Sequence, residues 1–215
     1  STCFAFSSST YFRTGHLTNA LYYAWESIVR FKDGVAHVHL LLNRASPWLD
    51  VDSYLPAWPV LCSAEAVAAH RDHYPHRRDD YGPWFRGWLD KGSEVTGADY
   101  AVANNTRAEC NGRIREAFAG IDALACPSTI APPRPVTAEE LYGPMDDRRG
   151  TSFQRYTVPY NFNGMPTLSV PCGLNSEGLP LSLQFVGKHQ SEQLLCRIGH
   201  AYEQATEWHL SRPPD

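Results

Sequence analysis

The sequence predicts an α/β protein. Apolar residues recur at helical spacing between 97 and 119, and short apolar segments bounded by turn residues follow at 121–126, 167–170 and 181–186. The first pattern is typical of an amphipathic helix and the other three of strands. The two periodicities occur in one continuous stretch of chain, which favours helices packed on a sheet.

The N-terminal part carries the weakest patterns. We expect a helix within 17–31 and a strand at 35–42. Three prolines among large aromatic residues at 43–59 predict an irregular segment, because proline at that density interrupts regular elements. Residues 1–46 are therefore treated as a separate N-terminal segment.

Three helices are predicted next. The first spans 61–73: we expect Ser63 to cap it, and strong helix formers follow at 64–69. Aromatic residues at helical spacing between 84 and 91 indicate a second helix. The third spans 97–119, and Thr96–Asp99 has the spacing of a helix cap.

The C-terminal part predicts strand, turn, strand and helix after a long loop at 131–149. We expect strands at 167–170 and 181–186, joined by a turn at 175–178. Ser191 is the expected cap of the last helix. On the second strand, one face carries Leu181, Leu183 and Phe185, and the other carries Ser182, Gln184 and Val186. The apolar positions of the last helix are Leu194, Leu195, Ile198, Ala201 and Ala205.

Composition excludes several classes of function. The net charge is −4 and basic residues are interspersed with acids, which does not favour nucleic-acid binding. No apolar segment approaches the ~20 residues that span a bilayer, so no membrane association is expected. The six cysteines form no C-x-x-C pair, which favours free thiols and a cytoplasmic protein.

Metal and cofactor sites are also not predicted. His70, His73 and His76 are spaced by three, but Pro75 ends the helix before the last of them and arginines lie nearby. We interpret these histidines as surface residues. The sequence has no P-loop, no G-x-G-x-x-G and no G-x-S-x-G segment. We expect no cofactor and no metal.

One set of residues carries a family resemblance. Its members are Asp122, Leu124, Pro127, Thr157, Pro159, Asn161, Gly164, Pro166, Pro171, Gly173, Gly178, Leu179, Pro180, Gln184 and Gly187. In this order and at these spacings they resemble the C-terminal region of the amidase signature family, over about residues 50–209. Individually, the glycines also suit turns with positive φ, Pro166 and Pro171 suit the ends of a strand, and Asn161 suits a hydrogen bond to loop backbone.

The resemblance implies a fold and an activity. The fold would be a partial α/β/α sandwich with a mixed β-sheet, in which 47–215 is the C-terminal part of an amidase-like domain. Family members hydrolyse carbon–nitrogen bonds of linear amides with a Ser-Ser-Lys triad. Ser7-Ser8-Ser9 has no flanking glycine and no preceding lysine, so we assign no catalytic residue in this chain. The chain would be a truncated hydrolase, and the partner that completes it would be the missing N-terminal half.

The resemblance also implies a substrate-binding wall. Small amide substrates of the complete enzyme would meet Ser128, Thr129, Tyr160, Asn161, Asn163 and Gly164. Two alternatives stay open: a non-catalytic binding or scaffold remnant of the fold, and part of an amidotransferase A-type subunit. An unpaired sheet edge and an uncovered apolar face would make the isolated chain marginally stable or prone to aggregation.

Overall fold

A computed structural model describes residues 4–6, 26–32, 35–41, 51–132, 136, 138 and 154–212. The strands are β1 (Phe4–Phe6), β2 (Glu26–Lys32), β3 (Val35–Leu41), β4 (Ala123–Pro127), β5 (Thr167–Leu174) and β6 (Pro180–Gly187). The helices are α1 (Ala57–His70), α2 (Pro83–Ser93), α3 (Gly97–Ala117), α4 (Val158–Asn163) and α5 (Glu192–Ala205).

The strands form one mixed sheet in the order β1-β3-β2-β4-β6-β5. β1 pairs with β3 in parallel, and the other neighbours are antiparallel. β4 lies between β2 and β6, so it joins the N-terminal strands to the C-terminal pair. The predicted α/β class and the mixed sheet are confirmed.

Helices cover both faces of this sheet. On one face, α1, α3 and α4 bury a core with sheet residues Leu124, Cys126 and Val186. On the other, α5 packs Leu195, Ile198 and Tyr202 against Ala123, Ala125, Leu183 and Phe185. The alternation predicted for β6 is therefore observed, with Leu183 and Phe185 facing α5 and Val186 facing the opposite layer. These layers form an α/β/α sandwich.

The predicted helix at 17–31 is wrong where it overlaps β2. Residues 26–32 form a strand because each edge of the segment has a partner: Val29 is in register with Val38 of β3, and Ile28 with Leu124 of β4. The rest of that prediction lies outside the described residues. The strand predicted at 35–42 is confirmed, and most of the loop predicted at 131–149 also falls outside the described residues.

The start of α1 differs from the prediction. The helix begins at Ala57 after Pro56, and Pro59 occupies its first turn, where a missing N–H costs no helical hydrogen bond. Ser63 is buried, and its Oγ donates to the Val60 carbonyl oxygen at 3.3 Å, so its predicted capping role is wrong. The α3 cap is confirmed, since Thr96 Oγ1 accepts from Asp99 N at 3.1 Å and Asp99 Oδ2 accepts from Thr96 N at 3.1 Å.

In the C-terminal part, too, the structure differs from the predictions. β5 continues through Pro171 with an irregular register before Gly173, which edge strands tolerate. Residues 158–163, for which no regular element was predicted, form α4. Ser191 occupies the N-cap position of α5, but its Oγ donates to the Lys188 carbonyl oxygen at 2.5 Å and does not cap the helix. Ala205, predicted as an apolar position of α5, is exposed.

Candidate functional site

A row of polar side chains crosses the sheet on the face that α4 covers. Gln184 of β6 is in register with Cys126 of β4 on one side and with Ser169 of β5 on the other. Residues directly opposite each other in antiparallel strands project to the same face. Ser128 follows two residues after Cys126, so the row continues to the point where β4 ends.

Two hydroxyl groups meet at that point. The Ser128 backbone N–H donates to the Ser182 carbonyl oxygen at 3.2 Å, which extends the pairing of β4 with β6. Ser128 Oγ donates to Ser169 Oγ at 3.1 Å. Ser128 is half-buried and Ser169 is exposed. A ligand can therefore reach this pair, and hydroxyl groups can both donate and accept hydrogen bonds.

The short helix α4 presents the other predicted residues at different depths. Tyr160 is buried, with its hydroxyl 3.8 Å from Cys126 Sγ. Asn161 is exposed, and Gly164 ends the helix with a left-handed φ of 70°. The positive φ expected for Gly164 is thus confirmed, because only glycine adopts it without a steric cost.

Asn163 and Thr129 make local hydrogen bonds. Asn163 Oδ1 accepts from the Met165 backbone N–H at 2.9 Å, which fixes the turn after α4. Thr129 is exposed, and its Oγ1 donates to the Ala131 carbonyl oxygen at 2.9 Å. These contacts are the structural role that Asn and Thr commonly have in turns.

Gln184 and Ser169 were not predicted as site residues. Gln184 is 4% exposed, and its Nε2 donates to the Tyr156 carbonyl oxygen at 2.8 Å and to Cys126 Sγ at 3.4 Å. The alternation along β6 placed Gln184 on this face, which was the available signal. A buried glutamine among apolar strand residues indicates a specific partner.

The thiols of the core are not activated. Burial raises the pKa of Cys110 to about 12 and the pKa of Cys172 to about 11. Both thiols are therefore protonated at neutral pH, whereas nucleophilic cysteines have lowered pKa values. The five cysteines of the described ranges, namely Cys62, Cys110, Cys126, Cys172 and Cys196, form no disulfide.

Metal ligands do not cluster in the described part of the chain. No group of three or more His, Cys, Asp or Glu residues there could hold an ion. His70, predicted to be a surface residue, is half-buried, with Nδ1 3.0 Å from the Tyr81 hydroxyl and its ring edge-on to Phe85. His73 and His76 are exposed. Within the described ranges, no helix is long and apolar enough to cross a membrane.

The helix-covered mixed sheet, with hydroxyl groups where β4 ends, defines an α/β protein with a polar site on one sheet face. The sequence model of the Amidase family matches residues 49–196. The chain belongs to the amidase family, as the resemblance implied.

Curated relatives and solved structures agree with this assignment. "Putative amidase AmiD" of Mycobacterium tuberculosis is 37% identical over 154 residues, which are 71% of this chain and 32% of that protein. The A-type subunit of the glutamyl-tRNA(Gln) amidotransferase of a Picosynechococcus species is 37% identical over 117 residues, or 54% of this chain and 23% of that protein. The chain thus spans a third or less of the length of these relatives.

Two solved structures share the fold. A crystal structure of an amidase superposes with a TM-score of 0.60 at 26% identity, covering 80% of this chain and 37% of that one. A 6-aminohexanoate cyclic dimer hydrolase in complex with its substrate gives a TM-score of 0.60 at 28% identity, covering 75% of this chain and 36% of the hydrolase.

Proposed function

We propose that this chain is the C-terminal region of an amidase that hydrolyses the carbon–nitrogen bonds of linear amides, and that its sheet face forms one wall of the substrate pocket. The proposal rests on the accessible Ser128–Ser169 hydroxyl pair at the end of β4. This pair lies within the residues that match the Amidase family.

The hydroxyl pair suits substrate binding better than bond cleavage. A serine nucleophile needs a base that takes its proton. Ser128 Oγ donates to Ser169 Oγ, and among the described residues no lysine or histidine forms a hydrogen bond with either hydroxyl. Neutral hydroxyl groups can hold the acyl or amide end of a substrate, with Asn161 and Gly164 of the neighbouring turn completing the wall.

The cleavage chemistry is assigned to sequence beyond this chain. We propose that the Ser-Ser-Lys triad belongs to an N-terminal half, that residues 47–215 form the C-terminal part of the amidase domain, and that residues 1–46, which lie outside the Amidase match, add strands to its sheet. We also propose a reducing, cytoplasmic setting, in keeping with the cysteines of the described residues, which form no disulfide.

A fusion protein tests the proposal. The part of AmiD that precedes its match to this chain would be joined to residues 47–215, with intact AmiD as the folding and activity control. We expect the fusion to hydrolyse simple aliphatic and aryl amides, while the chain of 215 residues alone shows no turnover. Ser128→Ala and Ser169→Ala in the fusion should raise KM and leave kcat nearly unchanged, because the pair binds and does not react.

Two results would refute this function. Turnover by the chain alone that a Ser7/Ser8/Ser9 triple alanine change abolishes would place the nucleophile within it. An active fusion whose KM is unaffected by both serine changes would show that the hydroxyl pair does not line the substrate pocket.

A role as part of an amidotransferase A-type subunit is the second candidate. It is favoured by the 37% identity to the Picosynechococcus protein over 117 residues. Release of ammonia from glutamine by the fusion, in preference to simple amides, would support this role over that of a simple amidase.

A further inference from the structure

Two amide side chains donate hydrogen bonds to the main chain at opposite ends of α4. Gln184 Nε2 donates to the carbonyl oxygen of Tyr156 at 2.8 Å, two residues before the helix begins. Asn111 of α3 donates its Nδ2 to the carbonyl oxygen of Phe162 at 3.4 Å, in the last turn. A helix of six residues is unstable by itself, so tertiary contacts must fix its position.

Gln184 joins three parts of the structure through one side chain. It belongs to β6, it lies opposite Cys126 of β4 and donates to that sulfur at 3.4 Å, and it holds the entry to α4. An apolar residue of similar size would fill the same buried volume without the cost of burying an amide. What glutamine adds is the directed bond to the Tyr156 carbonyl.

Asn111 is a poor choice for stability alone. Its Oδ1 is buried and has no hydrogen-bond partner among the described residues. A buried unpaired acceptor carries a desolvation cost comparable to the gain from one hydrogen bond. The side chain therefore contributes little net stability, and its distinct contribution is the contact with the Phe162 carbonyl.

We propose that Gln184 and Asn111 are positioning residues that fix α4, and with it the Tyr160–Gly164 segment, against the strand end that carries Ser128 and Ser169. This inference rests on the proposed function, because it assigns α4 to the substrate wall. Loosening either end of α4 would misplace the wall and weaken substrate binding, while groups outside this chain would still carry out the chemistry.

Hydrogen exchange in the full chain of 215 residues tests the anchoring without requiring activity. Gln184→Met keeps the length of the side chain and removes its donor, and Asn111→Leu does the same at the other end. We expect the α4 amides to exchange about fivefold faster in Gln184→Met, because one neutral hydrogen bond is lost, and faster by a smaller factor in Asn111→Leu, while the amides of α5 keep their rate. Gln193→Met, at an exposed glutamine of α5, is the matched control and should change nothing.

The outcome of this measurement is decisive in each direction. Unchanged α4 exchange in folded Gln184→Met and Asn111→Leu would overturn the inference. If Gln184→Met does not fold, Asn111→Leu decides, because it removes a contact of little net stability.

Kinetics of the AmiD fusion test whether the anchored helix α4 contributes to substrate binding. We expect Gln184→Met to raise KM about fivefold with kcat within about twofold, as the loss of a positioning bond predicts. Faster α4 exchange with unchanged KM would overturn the positioning role. An inactive fusion would count against the proposed function, and hydrogen exchange would still support or overturn the anchoring of α4.

Discussion

Gly92 of α2 lies so close to Ser63 of α1 that a Cβ atom at Gly92 would sit 2.2 Å from the Ser63 carbonyl oxygen. Both residues are buried, and the same Cβ would lie 2.9 Å from Val67 Cγ2. The neighbouring backbone cannot yield as a flexible side chain could. The two helices therefore approach at a contact that only glycine permits.

Gly92→Ala should lower the free energy of unfolding by about 1–3 kcal/mol, because the added methyl group forces the helices apart. Urea denaturation followed by circular dichroism measures the change. Gly87→Ala on the same helix is the matched control, since its Cβ would meet no atom within 4 Å. That control should be stabilising by about 0.5–1 kcal/mol, because glycine is unfavourable in a helix interior. Equal effects of both changes would contradict the close contact.

Thr96→Ala should destabilise the protein by about 1 kcal/mol, because it removes the acceptor for the Asp99 backbone N–H at the start of α3. The measurement is again urea denaturation. Thr106→Ala is the control within the same helix, where the hydroxyl donates to the Val102 carbonyl oxygen at 3.1 Å. A hydrogen bond from a threonine hydroxyl to the carbonyl oxygen four residues earlier adds little to the stability of a helix. The control change should therefore be neutral or slightly stabilising. A neutral Thr96→Ala would show that the cap contributes nothing.

The same cap predicts a pH dependence. Hydrogen bonds from the Thr96 side chain and backbone lower the pKa of Asp99. A lowered pKa in the folded state stabilises the protein above the unfolded value of about 3.9, and this stabilisation is lost as pH falls through the folded pKa. Wild type should therefore be more stable than Asp99→Asn at about pH 7, and the difference should shrink below about pH 4. A difference that grows on acidification would contradict this sign.

Thiol labelling should distinguish the cysteines by exposure. Cys196 is exposed, whereas Cys110 and Cys172 are buried and have pKa values raised to about 12 and about 11. We expect iodoacetamide at about pH 7.5 to modify Cys196 in the folded protein and the other two only in urea, because the thiolate is the reactive form. Peptide mass spectrometry identifies each site. Rapid labelling of Cys110 without denaturant would contradict the packing around α3.

Features that depend on residues close together in the sequence were predicted correctly. The start of α3 was predicted because Thr96 and Asp99 satisfy the first N–H groups of their own helix. β6 was predicted because its apolar residues alternate. The positive φ values of Gly164 and Gly178, 70° and 78°, followed from residue type.

Features that depend on distant partners were missed. Strand β2 exists because β3 and β4 supply neighbours, and the latter is nearly a hundred residues away along the chain. Helix α4 was not predicted from the sequence, although Pro159 is compatible with a first helical turn. The bond from Gln184 to Tyr156 links residues 28 positions apart, and no local pattern encodes it.

The anchors of α4 attach to carbonyl groups of the main chain, and every amino acid supplies that group. The exposed position 161 can therefore change from asparagine to another residue without loss of either anchor. Such a helix is suited to evolutionary and laboratory diversification, since its exposed face can vary while its position is fixed by α3 and β6. A library randomised at position 161 should thus retain folded members in high proportion.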